Sequence, residues 1–361
     1  MNNEKKLLKA SINGQWCKLS DKLPDDKDHH VIVEARFIQD LLLGIATEKL
    51  TNKRVQAVKL RGAIIKGMLD LKDCSGPDGT PLPPLLLENC ILMGDGEDIR
   101  TIDARHSSLR RLSLKNCKVA LIDISDANVY GDFEINGIKQ LKSKGQCQIL
   151  ACGCFIDGSV IVQNTKLKYS ILQLDKDNKP DYALNLSEAE IKVSLKLQPK
   201  FWAVGGVNLK GTTIRGDIWA EGAKFIASKE KLDSFFAQSL KCEGVVVMRT
   251  NTPKKSCMAR GQISFFGATL GFLDLNGIQI KKLLNRDGFT ENVDDYDYRS
   301  ALYLDLVRIT NNFHLRNSSK IDGEIFASSL KVGGEVDLEI SNTAILEDAN
   351  IGSILKIKFN E

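Results

Sequence analysis

From Val58 onward, apolar and variable residues alternate with period two, in copies that align position by position. Val58-x-Leu60-x-x-Ala63-x-Ile65-x-Gly67-x-Leu69-x-Leu71 matches Ile122-x-Ile124-x-x-Ala127-x-Val129-x-Gly131-x-Phe133-x-Ile135. It also matches Ile149-x-Ala151-x-x-Cys154-x-Ile156-x-Gly158-x-Val160-x-Val162. Further copies begin at Leu184, Val207, Ile263, Leu302 and Ile325, and looser ones fill Pro84 to Val119. A period of two places one set of side chains on one face of an extended strand, so the copies predict strands and not a helical supercoil. Glycine at 67, 131, 158, 216, 271 and 334, with Asn311 in the same slot, is expected at a tight corner needing positive φ.

The steps Leu184 to Val207 and Leu302 to Ile325 are equal and set the length of one turn, about 22–23 residues. Within one turn, Val207/Leu209, Thr212/Ile214, Ile218/Ala220 and Ala223/Phe225 form four apolar pairs, which predicts four short sides. The expected fold is all-β, a four-sided parallel β-helix whose inward residues stack into ladders. Residues 1–57 are expected to cap it, with a helix over Val33–Leu43 ending at Gly44. Residues 58–361 form the solenoid, with insertions near 72–84, 226–238, 250–260 and 281–300 that project as loops, turns or short helices.

Composition narrows the class. A chain that is 43% hydrophobic can build a core, which excludes disorder. A charge of +4 from 50 basic and 46 acidic residues is too balanced to imply nucleic acid, an anionic membrane or DNA mimicry. No apolar run approaches a membrane span, and the opening Met1 to Leu8 lacks the apolar core of a secretory signal, so a cytoplasmic location is expected. Nine cysteines, an odd number, are then expected as reduced thiols. The group Cys147, Cys152 and Cys154 lacks the paired spacing of a zinc knuckle, and Cys90, Cys117 and Cys154 share the small inward slot of Ala63, so no metal is expected.

The Ala-x-Ile/Leu-x-Gly rungs, and Asp126-Ala127-Asn128-Val129 locally, resemble the pentapeptide-repeat proteins, which implies a right-handed, four-sided β-helix. A closer resemblance is to a group of bacterial proteins of little-known function. It is carried by Asp40-Leu41-Leu42-Leu43-Gly44, by Leu60-Arg61-Gly62-Ala63-Ile64-Ile65-Lys66-Gly67-Met68-Leu69-Asp70-Leu71 and by Pro84-Leu85-Leu86-Leu87-Glu88-Asn89-Cys90. The likeness extends from about residue 33 to 340. Members are often catalogued as membrane-associated oxidoreductases, so the resemblance implies that activity.

The residues themselves offer no cofactor site. No G-x-G-x-x-G string exists, and Gly62-x4-Gly67 and Gly211-x4-Gly216 continue without the Lys-Ser/Thr of a phosphate loop. No flavin, haem or iron–sulfur site is marked, and no cofactor is expected. A carbohydrate-active enzyme is one alternative, because Asp70, Glu134, Asp274, Asp337, Asp132, Asp217 and Glu335 fall on outward slots. Carboxylates on adjacent coils would stand about 5 Å apart, near the separation retaining glycosidases use. The plainer reading is a solvated face. Nucleic-acid binding is the second alternative, resting on Lys53, Arg54, Lys59, Arg61, Arg100, Arg105, His106, Arg110, Arg111, Lys115 and Lys118. Acidic residues are interspersed there, and stacking aromatics are absent. The leading expectation is a non-catalytic binding or scaffold protein that presents a rigid surface to a protein partner. Its contact candidates are Asp294, Asp295, Tyr296 and Tyr298 in one insertion and Lys254 and Lys255 in another. The latter pair is also a candidate for a membrane surface.

Overall fold

The computed structural model describes residues 3–25, 28–48, 53–96, 98–169, 182–228, 232–250, 256–281, 300–316, 319–340, 344–345, 350–351 and 355–359. The chain divides into two compact units, Met1–Pro180 and Asp181–Glu361. Strands dominate both, and the ladders between described strands are parallel, with isolated antiparallel bridges at Gly67–Gly94 and Cys147–Lys168.

In the first unit, Trp16–Lys18, Val58–Arg61, Leu85–Glu88, Leu112–Lys115, Phe133–Asn136 and Val160–Gln163 pair in sequence order. The register is unbroken, so Leu60, Leu87, Leu114, Ile135 and Val162 stand in one column. All five are buried. Burying each such side chain stabilises by about 1.5–3 kcal/mol, which explains why the alternation is held so strictly. Smaller ladders run through Ile64–Lys66 and Ile91–Leu92, through Arg100–Asp103 and Leu121–Asp123, and through Asn128–Val129 and Phe155–Ile156.

The N-terminal part differs in detail from expectation. A helix, Asn3–Ile12, buries Leu7 and Leu8, and its Ser11 carbonyl accepts the Gln56 N–H at 3.1 Å. The expected helix begins at Ala35 and not at Val33, because Ile32–Glu34 is taken up as a strand beside Ile64–Lys66. Strand pairing thus starts well before residue 58. Leu19, Leu23 and Val31 pack outside that ladder against Ile64, Ile91, Ala120 and Leu141. Within 72–84, Pro77–Gly79 forms a short 3-10 turn and Leu82 bridges to Leu109.

The second unit holds four ladders. One joins Leu184, Val207, Phe235, Ile263, Leu302 and Ile325. Another joins Ile191, Ile214, Cys242, Leu270, Ile309 and Val332. A third joins Leu195, Ile218, Val246, Leu273, Phe313 and Val336. The fourth joins Ala203, Phe225, Ala259, Ile280 and Ile321. Phe201, Phe225, Phe235 and Phe265 are fully buried and touch in series, with ring centroids 6.1, 5.1 and 5.7 Å apart.

Two expected insertions contain rungs. In 226–238, Asp233–Phe236 is a strand paired on both sides, and in 250–260, Met258–Arg260 continues the fourth ladder. Residues 282–299 lie outside the described part.

The corner glycines also need correcting. Of the six expected at positive φ, only Gly67 has it, at 91°. At Gly131 and Gly158 a Cβ would instead fall 2.8 Å from the Arg110 oxygen and 2.7 Å from the Gly131 oxygen. Those positions need glycine because neighbouring backbone approaches closely. The left-handed corner lies elsewhere, one residue past the long strands: Gly62, Asn89, Asn116, Gly137 and Asn164 have φ between 50° and 69°. Only glycine and asparagine occur there, the residues that tolerate this conformation best.

Positive φ also occurs at a second kind of turn, held by His106, Asp126, Glu188, Ser239 and Ser329, and there Leu306 has φ of 56° with its side chain half exposed. A left-handed L-residue costs roughly 1–2 kcal/mol, and asparagine offsets much of it. Leu306→Asn is therefore expected to stabilise the protein by about 0.5 kcal/mol, read as a higher urea midpoint at unchanged slope.

Candidate binding cleft

Six of the seven carboxylates expected on outward slots accept hydrogen bonds from backbone N–H groups or arginines, and Asp274 among them is buried. Asp132 accepts the Ser159 N–H at 2.9 Å, and Asp217 accepts the Val245 N–H at 2.9 Å. Glu134 binds Arg111 and Ser113, Asp337 binds Arg316, and Asp274 accepts from Arg249 and the Asn276 N–H. Asp70 turns back to the Lys72 N–H.

One carboxylate cluster has the contrast in acidity that acid–base chemistry uses. Asp103 and Asp123 are register partners on adjacent strands, with side chains 4% and 8% exposed. Burial favours the protonated form of Asp103, but hydrogen bonds from Arg105, at 2.7 and 2.9 Å, and the charges of Arg105 and Arg100 outweigh it and hold the carboxyl below its ordinary value. Burial pushes Asp123 above its ordinary value, against hydrogen bonds from Ser125. Arg100 clamps Asp98 and also reaches Asp103 at 3.2 Å. Both oxygens of Asp103 are thus occupied by guanidinium groups, as in a structural ion-pair network.

This cluster yields a paired test. Asp103→Asn leaves Arg105 and Arg100 underpaired and is expected to cost about 2 kcal/mol at neutral pH. Asp123→Asn keeps an acceptor for Ser125 and removes a buried charge, so it is expected to stay within about 1 kcal/mol of wild type. The signs with pH are opposite. The depressed Asp103 contributes stability that is lost as pH falls through the carboxylate range, whereas the raised Asp123 binds its proton more tightly in the fold and costs stability as pH rises through its own value. Urea unfolding from pH 4 to pH 7, about the window in which raised carboxylates titrate, is expected to show wild type gaining on Asp123→Asn as pH falls.

The basic residues of 53–118 are sorted by the register. Arg61 binds Glu88 at 2.6 Å, Arg111 binds Glu134 at 2.9 Å, and Lys115 approaches Glu88. Arg100 and Arg105 belong to the cluster above, and His106 lies 3.8 Å from Asp126. These cations do not form a free basic surface. Among the described residues, Lys53, Arg54, Lys59, Lys66 and Arg110 have no ion pair; of these, Lys53, Arg54 and Arg110 are exposed and lie together.

These three converge on a cavity of about 870 Å3 within the first unit. One wall is the end of the helix Ala35–Leu42, whose apolar face is buried. The helix stops because Leu43 and Gly44 turn back, Gly44 at φ of 81°, with the Gly44 N–H donating to Leu41. This leaves Leu43 and Gly44 at the cleft. The opposite wall is the turn 76–83. There the Gly76 N–H donates to the Thr80 carbonyl at 2.7 Å, and the Thr80 hydroxyl donates to the Pro77 carbonyl at 2.7 Å. Leu82 anchors the turn by donating to Ser108, and its own carbonyl accepts the Arg110 N–H, which sets Arg110 at the rim. Pro77, Pro81, Pro83 and Val55 supply apolar surface, and among the described residues Asp78 is the one acid in the lining. Tyr130, 51% exposed, stands on the rung beside Arg110, its N–H donating to Leu109.

Sequence reading had placed Lys53, Arg54 and Arg110 in one basic group and the prolines in one excursion without joining them. The contact candidates Asp294, Asp295, Tyr296, Tyr298, Lys254 and Lys255 lie outside the described residues. All nine cysteines are free thiols, and burial pushes Cys147, Cys154, Cys242 and Cys257 up to about 12. Such thiols are poor nucleophiles. Among the described residues, no group of three His, Cys, Asp or Glu is arranged to hold a metal, and no helix is long and apolar enough to cross a membrane.

No family model, curated protein or solved structure matches this chain.

Proposed function

We propose that this chain is a right-handed parallel β-helix of the pentapeptide-repeat type that works as a non-catalytic binding or scaffold protein, with the cleft beside Arg110 as its contact site for a protein partner. The four parallel ladders of the second unit, with partners one turn apart, support the solenoid. The observation that carries the function is the inequality among cations. Arg61 and Arg111 are spent on carboxylates of or beside the paired strands and Arg105 on Asp103, whereas Lys53, Arg54 and Arg110 line one cleft and, among the described residues, have no ion pair. Unpaired like charges around a cavity repel one another and favour an acidic partner. A neighbouring exposed tyrosine fits a protein contact, since Tyr and Arg are enriched where proteins meet.

The carbohydrate-active alternative loses ground because the outward carboxylates Asp132, Asp217, Glu134, Asp274 and Asp337 already bind backbone N–H groups or arginines. The oxidoreductase reading lacks any dinucleotide fingerprint in the sequence. The test is affinity capture from cells with wild type, with Lys53→Ala/Arg54→Ala/Arg110→Ala, and with a chain lacking 285–298. Partners lost from the triple variant and kept by the deletion are the expected result. The same partners on all three proteins would remove the cleft from consideration.

A further inference from the structure

The composition of the cleft narrows what its partner must offer. Its volume, about 870 Å3, lies in the upper part of the range for sites that enclose an organic ligand and far exceeds what a single inorganic anion fills. Its walls are mixed: Lys53, Arg54 and Arg110 provide positive charge, while Leu43, whose N–H is spent on the Gln39 carbonyl, and Pro81 and Pro83, which have no N–H, provide apolar surface. Asp78, exposed and held at φ of 57°, places one negative charge in the same lining.

Asp78 discriminates between anionic occupants. A nucleic-acid strand carries a phosphate at every step and would bring one against Asp78, and among the described residues no aromatic side chain lines the cleft to stack on its bases. A polypeptide spaces its acids with apolar residues between them. It can set carboxylates on Arg54 and Arg110, whose guanidinium groups donate to both oxygens of a carboxylate, while its apolar side chains meet the proline wall.

We propose that the cleft formed by 41–44, 53–56, 76–83 and Arg110 recognises an acidic segment of a partner protein in which leucine-like residues alternate with Glu or Asp. This rests on the binding reading above and adds the chemistry of the occupant. Lys53 and Arg54 steer it, Arg110 fixes a carboxylate at the rim, and Tyr130 covers the emerging chain.

The test uses the full-length chain and a fluorescent, end-capped peptide with two leucines each flanked by glutamates, followed by anisotropy. Controls replace leucine by serine, or glutamate by lysine, and a fourth probe is oligothymidylate. Binding of the Glu/Leu peptide is expected, weakened at least tenfold, or about 1.4 kcal/mol, in Lys53→Ala/Arg54→Ala/Arg110→Ala. Salt should weaken it as well, and both control peptides should bind at least tenfold worse. Because the three cations are exposed and make no ion pair among the described residues, the triple variant is expected to unfold like wild type, so a loss of binding reports on the site. Equal binding of the peptide to the triple variant, equal binding of the Lys/Leu peptide, or no binding at all overturns the proposal. Oligothymidylate bound through the same three residues, with the peptide inert, overturns it in favour of nucleic acid. If cellular partners still depend on the three cations while the peptide fails, only the acidic-segment chemistry falls; if neither depends on them, the cleft reading falls too.

Discussion

Ile214→Asp is expected to lower the stability of the second unit by about 3–5 kcal/mol, the cost of an uncompensated buried charge. Ile214 is fully buried, and its ladder neighbours are Ile191 on one side and Cys242 on the other, so no group near it can pair with a carboxylate. Arg215, the next residue, points the other way. Its side chain is 51% exposed and lies 3.2 Å from Glu190, which also binds Lys192 at 2.8 Å. Arg215→Ala is expected to cost no more than about 0.5 kcal/mol, the usual range for an exposed ion pair. Urea denaturation followed by circular dichroism separates the two. Equal damage from both substitutions would contradict strand alternation at this rung.

Phe235→Ala is expected to cost about 3–5 kcal/mol, as removal of a buried aromatic side chain does when its surroundings relax only partly. Phe235 lies between Phe225, in an edge-to-face contact at 5.1 Å, and Phe265, and its backbone is paired on both sides, which limits relaxation. Phe236 is half-buried and stacks on Tyr182 at 6.3 Å, so Phe236→Ala should cost less than half as much. A small loss at Phe235 would mean that the aromatic series carries little of the core.

The fate of Phe235 also marks where sequence reading stops. Strands were legible wherever Leu-x-Leu-x-x-Ala recurred, because one inward column of apolar residues determines both spacing and register. At 226–238 the register slips between Asp233 and Phe235, so alternation breaks over a true rung and the stretch reads as an insertion. Corners were legible as glycine but not for the right reason. Positive φ and a close approach of backbone both demand the missing Cβ, and a sequence does not distinguish them. The helix Asn3–Ile12 carries no repeat and escaped notice. The cleft was hidden most deeply. Whether a cation is free depends on a carboxylate on the paired strand, as Arg61 depends on Glu88, and that is known only once the register is known.

The short steps between ladder partners have a consequence for how the second unit forms and frays. Leu184 and Val207, or Leu302 and Ile325, meet across a single turn, although many all-β proteins must join residues far apart before any contact rewards the entropy spent. In the proposed solenoid each strand needs only its ladder neighbours to consolidate, so assembly is expected to begin at any adjacent pair and spread in both directions. Opening should follow the same path in reverse. Amide hydrogen exchange in Ile214→Asp is therefore expected to accelerate first in 190–192 and 241–242, while protection around Phe313–Leu315 and Val336–Leu338 persists.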